Sequence, residues 1–361
     1  MRDKSTNDGV YVKCIKDDKG KVLMKEDDIK DRWKNYFENL MNEENSWNKS
    51  IGEERVNVGL VREVRMEEVK QAVRSMKSSK AVGPDGIPVE VWKLLGENGY
   101  KWLTLFFNKL LHEETIPEEW CQSILVPIFK NKGDVILHYR GIKLMSHTMK
   151  VWEKMIERRL REECDISQNQ FGFMPGRGTT DAIFALRQLC EKYRNVNKNL
   201  HMVFVDLEKA YDRIPRLVLW WALKKKGVPG NPYLFLIVMD ALTSDIQDEV
   251  PWCMLFADDI VLVGEDGIEV QSRLDRWQEK LESVGLKISR TKTEYLFCDF
   301  GGLSSFKPIY LNGVMLPVCS DFRYLGSVIQ NTVRHRMGGM DEMATGLGND
   351  MRPPNALETK G

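Results

Sequence analysis

Long apolar runs are missing from this sequence of 361 residues. The longest one, around residues 233–239, ends at Asp240, whereas a helix that crosses a bilayer needs about 18 to 20 apolar residues. The first residues also lack the pattern of a secretory signal peptide. We therefore expect no membrane partner and an intracellular location, in the nucleus or the cytoplasm.

Paired cysteines are missing as well. The seven cysteines, at positions 14, 121, 164, 190, 253, 298 and 319, show no C-x-x-C spacing and have no histidine partner nearby in the sequence. Zinc sites and disulfide frameworks usually carry such spacing. The pattern argues against both kinds of site and fits a reducing compartment.

The chain also has no net charge, yet its charges are unevenly placed. Residues 130–230 hold 20 Lys and Arg against 11 Asp and Glu, while the whole chain has 53 residues of each sign. A basic segment of this kind is the electrostatic signature of a surface that binds phosphates. The same uneven distribution also occurs on proteins that never meet nucleic acid, so it supports nucleic-acid binding without proving it.

Two adjacent carboxylates interrupt an apolar stretch. Residues 252–265 read WCMLFADDIVLVGE, which predicts two buried strands joined by a tight turn, with Asp258 and Asp259 at the tip. A buried carboxylate costs several kcal/mol in practice unless a cation compensates it. The pair therefore indicates either a bound divalent cation or a cationic neighbour, and the plainer alternative is a solvated turn.

A third carboxylate follows another apolar stretch. Residues 201–215 read HMVFVDLEKAYDRIP, in which a short strand ends at Asp206 and a helix over 207–213 is expected before Pro215. If this strand lies beside the hairpin, the three acids meet. Oxygen ligands of this kind suit Mg²⁺ or Mn²⁺, and two such ions catalyse phosphoryl displacement in many enzymes. Read alone, Asp206 is equally a helix-capping acid.

These two stretches, taken in order, resemble motifs A and C of reverse transcriptases, most closely those of non-LTR (LINE-type) retrotransposons. Other parts of the chain resemble the same family in the same order: SSKAVGPDGIP at 78–88, VPIFKNKGD and YRGIKLMS within 126–146, QFGFMPGRGTTDAIFALR at 170–187, GLKISRTKTEYL at 285–296 and YLGSVI at 324–329. The resemblance covers roughly residues 10–330. It implies an α+β fold of the right-hand polymerase type, with palm and fingers, an antiparallel palm sheet backed by helices, and a truncated or absent thumb.

The resemblance implies RNA-directed DNA polymerase activity, in which a primer 3′-hydroxyl attacks a deoxynucleoside triphosphate (dNTP) with two Mg²⁺ ions bound. Asp206 and Asp258 would hold the ions, Asp259 would be a weaker ligand, and the carbonyl group of Leu207 would complete a site. RNA template, DNA primer and dNTPs are the implied partners. The oligomeric state is left open.

Five further residues are implied in dNTP binding. Lys130 and Arg140 match the fingers positions of the family, and Tyr211 matches an aromatic that would collide with a ribose 2′-hydroxyl. Arg177 follows glycines that would let the backbone approach template or triphosphate, and Lys292, with Lys287 on the predicted motif D strand, would support the leaving pyrophosphate. As a plainer alternative, such cations are solvated and Tyr211 packs on the core.

Motif B departs from the family pattern. A stretch of tens of residues that the family carries is missing between Pro229 and Pro232, and no Gln precedes the remaining segment. Misplacing the templating base by about 1 Å costs about 100-fold in rate. A catalytically inactive retroelement remnant that at most binds RNA or primer-template is therefore the alternative function. Another palm-type two-metal enzyme, such as a nucleotidyl cyclase, is a weaker third reading.

The resemblance divides the chain into successive segments. An amphipathic stripe formed by Ile29, Trp33, Tyr36, Phe37 and Leu40 predicts a first helix that packs on the fingers. The segments are an N-terminal helical or linker part (1–60), fingers (61–200), palm with motifs A, C and D (201–300), the motif E region (301–330) and a disordered tail (331–361).

Overall fold

The architecture is described here from a computed structural model. It describes residues 14–17, 19–42, 45, 47, 62–113, 115–129, 139–163, 165–225, 234–302 and 306–331. Lys130, the site of the missing motif B stretch and nearly all of the predicted tail lie outside these residues.

The described elements alternate between helices and short strands. The helices are α1 (Glu26–Asn42), α2 (Met66–Ser75), α3 (Val89–Glu113), α4 (His147–Glu163), α5 (Thr179–Asn195), α6 (Ala210–Arg213), α7 (Arg216–Lys225), α8 (Leu234–Thr243) and α9 (Gly267–Ser283), with a 3₁₀ turn at Glu118–Cys121. The strands are β1 (Ile15–Lys16), β2 (Val22–Leu23), β3 (Ile124–Phe129), β4 (Tyr139–Leu144), β5 (Leu200–Val205), β6 (Cys253–Phe256), β7 (Asp259–Gly264), β8 (Glu294–Cys298), β9 (Tyr310–Leu311), β10 (Val314–Met315), β11 (Val318–Cys319), β12 (Asp321–Tyr324) and β13 (Ser327–Gln330).

A five-stranded sheet forms the centre, in the order β11-β8-β5-β7-β6. Strand β5 lies in the middle, and all six of its residues are buried. Val203 and Val205 belong to one hydrophobic core, which the helices α2, α3, α4, α7, α8 and α9 share. Met202 and Phe204 point to a second core, with α5 and the hairpin β12–β13. Both faces of the sheet are therefore covered, which explains the apolar run Met202–Val205 within β5.

The prediction of an antiparallel sheet is wrong for one strand. β5, β6, β7 and β8 pair antiparallel, but β11 pairs parallel with β8, with Val318 opposite Tyr295. A parallel pair needs a long crossover connection. Residues 299–317, which include the small hairpin β9–β10, provide it, so the sheet is mixed.

The first helix packs on the hairpin β3–β4, as its aromatic stripe predicted. Trp33 and Phe37 are buried in a small core against Leu125 and Tyr139 of that hairpin. Trp33 and Tyr139 meet edge to face at 4.9 Å between ring centroids. Gly141 leaves room for Phe37 in this core, because a Cβ atom at residue 141 would lie 2.5 Å from the Phe37 ring.

One smaller prediction is met only in part. The helix expected over residues 207–213 is confined to α6, Ala210–Arg213, because the preceding segment bridges to Ile288 instead. Within the described residues, no helix has the length and apolar character needed to cross a membrane. The truncated thumb and the division into fingers and palm stay predictions.

Candidate active site

The register of the central sheet brings the three acids to one edge. Val205, the last residue of β5, pairs with Ile260 of β7, so that the next residue, Asp206, continues towards Asp259. Residues directly opposite each other on antiparallel strands have Cβ atoms about 5 Å apart. The convergence predicted from the sequence is thus present in the fold.

A strained turn carries the other two acids. Phe256 pairs with Asp259, so Ala257 and Asp258 are the central residues of a two-residue hairpin turn. Ala257 has a φ of 59°, which matches the positive φ that such hairpin turns need at their first central position. A non-glycine residue rarely adopts this conformation, and such strain is typical of functional sites.

The acids line a cleft with a volume of about 700 Å³. Asp206, Leu207, Asp258 and Asp259 all line it. The other lining residues come from α1, β4, α6, the end of β6 and several connecting segments: Tyr36, Phe37, Leu40, Met41, Tyr139, Gly141, Phe173, Lys209, Ala210, Tyr211, Asp212, Phe256, Ala257, Lys292 and Leu325.

Burial and crowding of like charges together determine the electrostatics of this cleft. Burial, followed by the negative charges of Asp258 and Asp206, raises the pKa of Asp259 to about 6. Lys292 opposes this effect, and its Nζ lies 2.9 Å from Oδ2 of Asp206. The buried Tyr324 lies beneath the tip, where burial and then Asp259 raise the pKa of its phenol. Such mutual repulsion favours binding of a cation.

The donor set fits a hard divalent cation. Within the part of the chain that the structure describes, no group of three or more His, Cys, Asp or Glu side chains could hold one ion. Mg²⁺, however, is usually held by one or two carboxylates, and waters and substrate phosphates complete its coordination. Asp206 and Asp259 can supply such a pair once Lys292 releases Asp206.

The other predicted site residues divide into two groups. Leu207, Tyr211 and Lys292 line the cleft. Arg177 is not among the lining residues: its guanidinium donates to the carbonyl groups of Gln168 and Gln170 and lies 5.2 Å from the centroid of the Phe171 ring. Lys130 lies outside the described residues, and Arg140 is described only as part of β4, opposite Ile128.

Two details of the sequence interpretation need correction. Lys287 and Lys292 precede β8 rather than lie on a strand, because the backbone of Lys287 and Ser289 is engaged by residues 206–208. Gly172, expected to approach template or triphosphate, faces the hairpin instead: a Cβ atom there would lie 2.7 Å from the backbone nitrogen of Ala257.

A comparison with known families agrees with this geometry. The sequence model of the family described as "Reverse transcriptase (RNA-dependent DNA polymerase)" matches residues 128–230 and 218–329, more than half of the chain. The chain belongs to the reverse transcriptase family. The two matched segments contain Asp206 and the Asp258–Asp259 pair respectively, so the acids of the cleft lie within the family domain.

Curated relatives of this chain include proteins of non-LTR retrotransposons and other transposons. A "Probable RNA-directed DNA polymerase from transposon BS" of Drosophila melanogaster is 27% identical over 160 residues, which are 43% of this chain and 18% of the relative. The "RNA-directed DNA polymerase from mobile element jockey" of Drosophila funebris is 26% identical over 328 residues, 76% of this chain and 36% of the relative.

A third relative, the "Transposon TX1 uncharacterized 149 kDa protein" of Xenopus laevis, is 28% identical over 220 residues, 56% of this chain and 16% of the relative. The chain thus spans about a sixth to a third of the length of these relatives.

Sequence reasoning missed three residues at this site. Tyr36 was assigned to core packing, yet it lines the cleft, and its hydroxyl accepts a hydrogen bond of 2.8 Å from Nζ of Lys209. Lys209 has a φ of 49°, which nothing in its sequence context predicts. Gln170 contacts the strained turn from 87 residues away in the chain. An isolated amide in a loop carries no periodic signal that could have revealed this.

Proposed function

We propose that this domain is an RNA-directed DNA polymerase that adds deoxynucleotides to a primer 3′-hydroxyl on an RNA template. The observation that carries the proposal is the pairing of Val205 with Ile260, which directs Asp206 and Asp259 to the same end of the cleft. Two Mg²⁺ ions, with Mn²⁺ as a substitute, would supply Lewis-acid stabilisation of the attacking and leaving oxygens.

In this proposal the chain itself mainly positions charge. Asp206, Asp258, Asp259 and the carbonyl group of Leu207 hold the cations. Lys292 is ion-paired with Asp206, and it would bind the triphosphate in place of this carboxylate. The ammonium group of Lys292 would then have an anionic partner in both arrangements, first the carboxylate of Asp206 and then a phosphate of the substrate.

The remaining family positions are assigned by analogy. Lys130 and Arg140 would hold the triphosphate from the fingers, residues 61–200, while residues 201–300 form the palm and 301–330 the motif E region. Arg177, which bonds backbone carbonyls of its own loop, would reach a phosphate only after releasing them.

Primer extension on an RNA template tests the proposal. The wild type and Asp258→Ala are compared with Mg²⁺, a DNA primer and all four dNTPs. We expect extension by the wild type and a loss of at least about 1000-fold in the variant, because one ligand of the cations is gone. Equal signal from both proteins would reveal a contaminating polymerase.

A second candidate function is that of an inactive remnant that binds RNA or primer-template. The stretch missing between Pro229 and Pro232 favours it, since the template-side helix of motif B would begin there. Absence of extension by a folded wild type, together with salt-dependent binding of a primer-template duplex, would support this alternative and refute the proposed activity.

The sugar preference of the site provides a separate prediction. Tyr211 is 49% exposed and lines the cleft, where its ring can block a 2′-hydroxyl. Replacing Tyr211 with Ala should increase ribonucleotide incorporation relative to deoxynucleotide incorporation by at least about 10-fold, the effect of about 1.4 kcal/mol. The ratio of kcat/KM for the two substrates measures it, and an unchanged ratio would remove this role.

A further inference from the structure

We propose that Gln170 is a positioning residue that holds the turn bearing Asp258 and Asp259 in its working conformation. The inference concerns the same cleft and therefore rests on the proposed polymerase function for its catalytic consequence. Its structural content, a local clamp on a strained turn, can be tested without turnover.

The clamp consists of one buried amide oxygen. The side chain of Gln170 is 3% exposed, and its Oε1 accepts two backbone hydrogen bonds, from N–H of Ala257 at 3.0 Å and from N–H of Gly172 at 2.9 Å. Ala257 is itself buried. A buried N–H without an acceptor is unfavourable. Gln170 therefore provides an acceptor for the N–H of Ala257.

The backbone around Gln170 holds this oxygen in place. The N–H of Leu255 in β6 donates to the carbonyl of Asn169, and the N–H of Phe171 donates to the carbonyl of Leu255, both at 2.8 Å. Residue 170 is thus in a parallel bridge with Leu255. The segment acts as an additional partner for the outer side of β6, and it delivers the amide to the end of that strand.

Gly172 completes the contact from the other side. A Cβ atom there would lie 2.7 Å from N of Ala257, 3.1 Å from the carbonyl carbon of Phe256 and 3.2 Å from Oε1 of Gln170. Real Cβ atoms essentially never approach backbone this closely, so a side chain would push the turn and the clamp apart. By contrast, Gly178 in the same loop has nothing nearer than 3.8 Å.

The conformation of Ala257 explains why a clamp is needed. Its φ of 59° is unfavourable for a residue with a Cβ atom and persists only where the surroundings enforce it. A turn that relaxed would move Asp258 and Asp259 relative to Asp206. Since misplacement of about 1 Å can cost about 100-fold in rate, a small relaxation is enough to matter.

Hydrogen exchange of the hairpin in the full chain tests the clamp directly. The probe is the exchange rate of amides 257–259 divided by that of amides 261–263 in the middle of β7, in Mg²⁺-free buffer. In Gln170→Leu, which keeps the size but removes the acceptor, we expect this ratio to rise by at least about 10-fold.

Asn169→Leu is the matched control. Asn169 is also buried and adjacent, but its Nδ2 donates to the carbonyl groups of Cys253, at 2.9 Å, and Asp248 at the base of the hairpin. Its loss should leave the exchange ratio at the tip unchanged. If Gln170→Leu leaves the ratio unchanged, or if Asn169→Leu raises it equally, the clamp is refuted.

Two further measurements separate this inference from the proposed function. If Gln170→Leu does not fold, Gly172→Ala replaces it, with Gly178→Ala as its control, and the same rise in the ratio is expected in the first variant alone. Where the wild type extends primers, a clamp variant should lower kcat by about 10- to 100-fold and leave the KM for dNTP within about 3-fold. A wild type without activity would sink the polymerase proposal, while the exchange ratios would still decide the clamp.

Discussion

The two ends of the hairpin β6–β7 differ in how their negative charges are compensated. At its base, Arg273 is nearly buried, and its guanidinium lies 2.9 Å from Asp248, lies 2.7 Å from Glu269 and donates to the carbonyl of Val263. At its tip, Asp206 is paired with Lys292, whose side chain is 66% exposed, while Asp259 is crowded by its neighbours. Both ends are acidic, and one of them is compensated by a buried cation.

This difference separates a structural use of charge from a functional one. A buried ion pair holds elements together when the remaining N–H groups of its cation also have hydrogen-bond acceptors, and it needs no further ligand. Carboxylates that lie close together repel one another, a bound cation can relieve that repulsion, and such groups cluster at functional sites. At the base of the hairpin a buried cation thus compensates the carboxylates, whereas at the tip burial and the neighbouring acids raise the pKa of Asp259.

The largest expected effect comes from breaking the compensated end. Arg273→Met keeps much of the side-chain volume but leaves Asp248 and Glu269 without their buried partner. We expect the free energy of unfolding to fall by about 3 to 5 kcal/mol, measured by urea denaturation at pH 7.5.

Arg276→Met is the control for this variant. Arg276 contacts the same Asp248 at 3.4 Å, but its side chain is 48% exposed, so its removal should cost at most about 1 kcal/mol. Equal losses in the two variants would mean that burial of Arg273 contributes nothing special, and the contrast between the two ends would lose its basis.

The strands of the central sheet and the acids at their ends could be predicted from the sequence because both depend on short-range patterns. That these strands lie side by side, so that the acids meet, followed from the resemblance to reverse transcriptases. The apolar runs before Asp206 and on both sides of Asp258 indicate buried strands, and strands that end in acids place those acids at a sheet edge. The same reasoning identified the helical stripe with Trp33 and Phe37, which packs as expected.

The parts that sequence reasoning missed depend on contacts between distant segments. The bond from Ala257 to Gln170 and the bond from Lys209 to Tyr36 join residues that are 87 and 173 positions apart. No periodicity links such residues. The parallel strand β11 was missed for a related reason: two residues in a strand are too few to show a direction, and only the crossover through residues 299–317 determines it.

The second prediction concerns the uncompensated end. In cation-free buffer at pH 7.5, Asp259→Asn should raise the free energy of unfolding by about 1 to 2 kcal/mol, because a neutral amide avoids the cost of burying a charge and then the repulsion from Asp258 and Asp206. The gain should depend on pH. The folded pKa of Asp259 is about 6, against a model value of 3.8, so the folded state binds the proton more tightly and the wild type loses stability as the pH rises between these values. The advantage of the variant should therefore be absent below about pH 4 and complete above about pH 6.

Asp266→Asn should show the opposite sign. The backbone N–H of Ile268, followed by Lys307, lowers the pKa of Asp266, so the ionised form stabilises the fold above the unfolded pKa and the variant should be less stable at neutral pH. Thermal unfolding at pH 4 and pH 7.5 in the presence of a chelator measures both variants. A loss of stability in Asp259→Asn at pH 7.5 would show that the tip is not repulsive.

The smallest effect is expected from the pair that links the tip to its neighbouring loop. Lys292 and Asp206 are 2.9 Å apart, but the lysine side chain is 66% exposed, and exposed ion pairs contribute about 0 to 1 kcal/mol. Lys292→Met should therefore change the free energy of unfolding by no more than that amount, and 0.5 M salt should remove most of the difference, measured by urea denaturation. Because Lys292 also restrains the pKa of Asp259, the variant should shift the titration of that carboxyl further upward. If Lys292→Met lowered the free energy of unfolding by more than about 2 kcal/mol, this pair would stabilise the fold as Arg273 and its acids do. The tip would then be a structural ion pair, and the contrast between the two ends would fail.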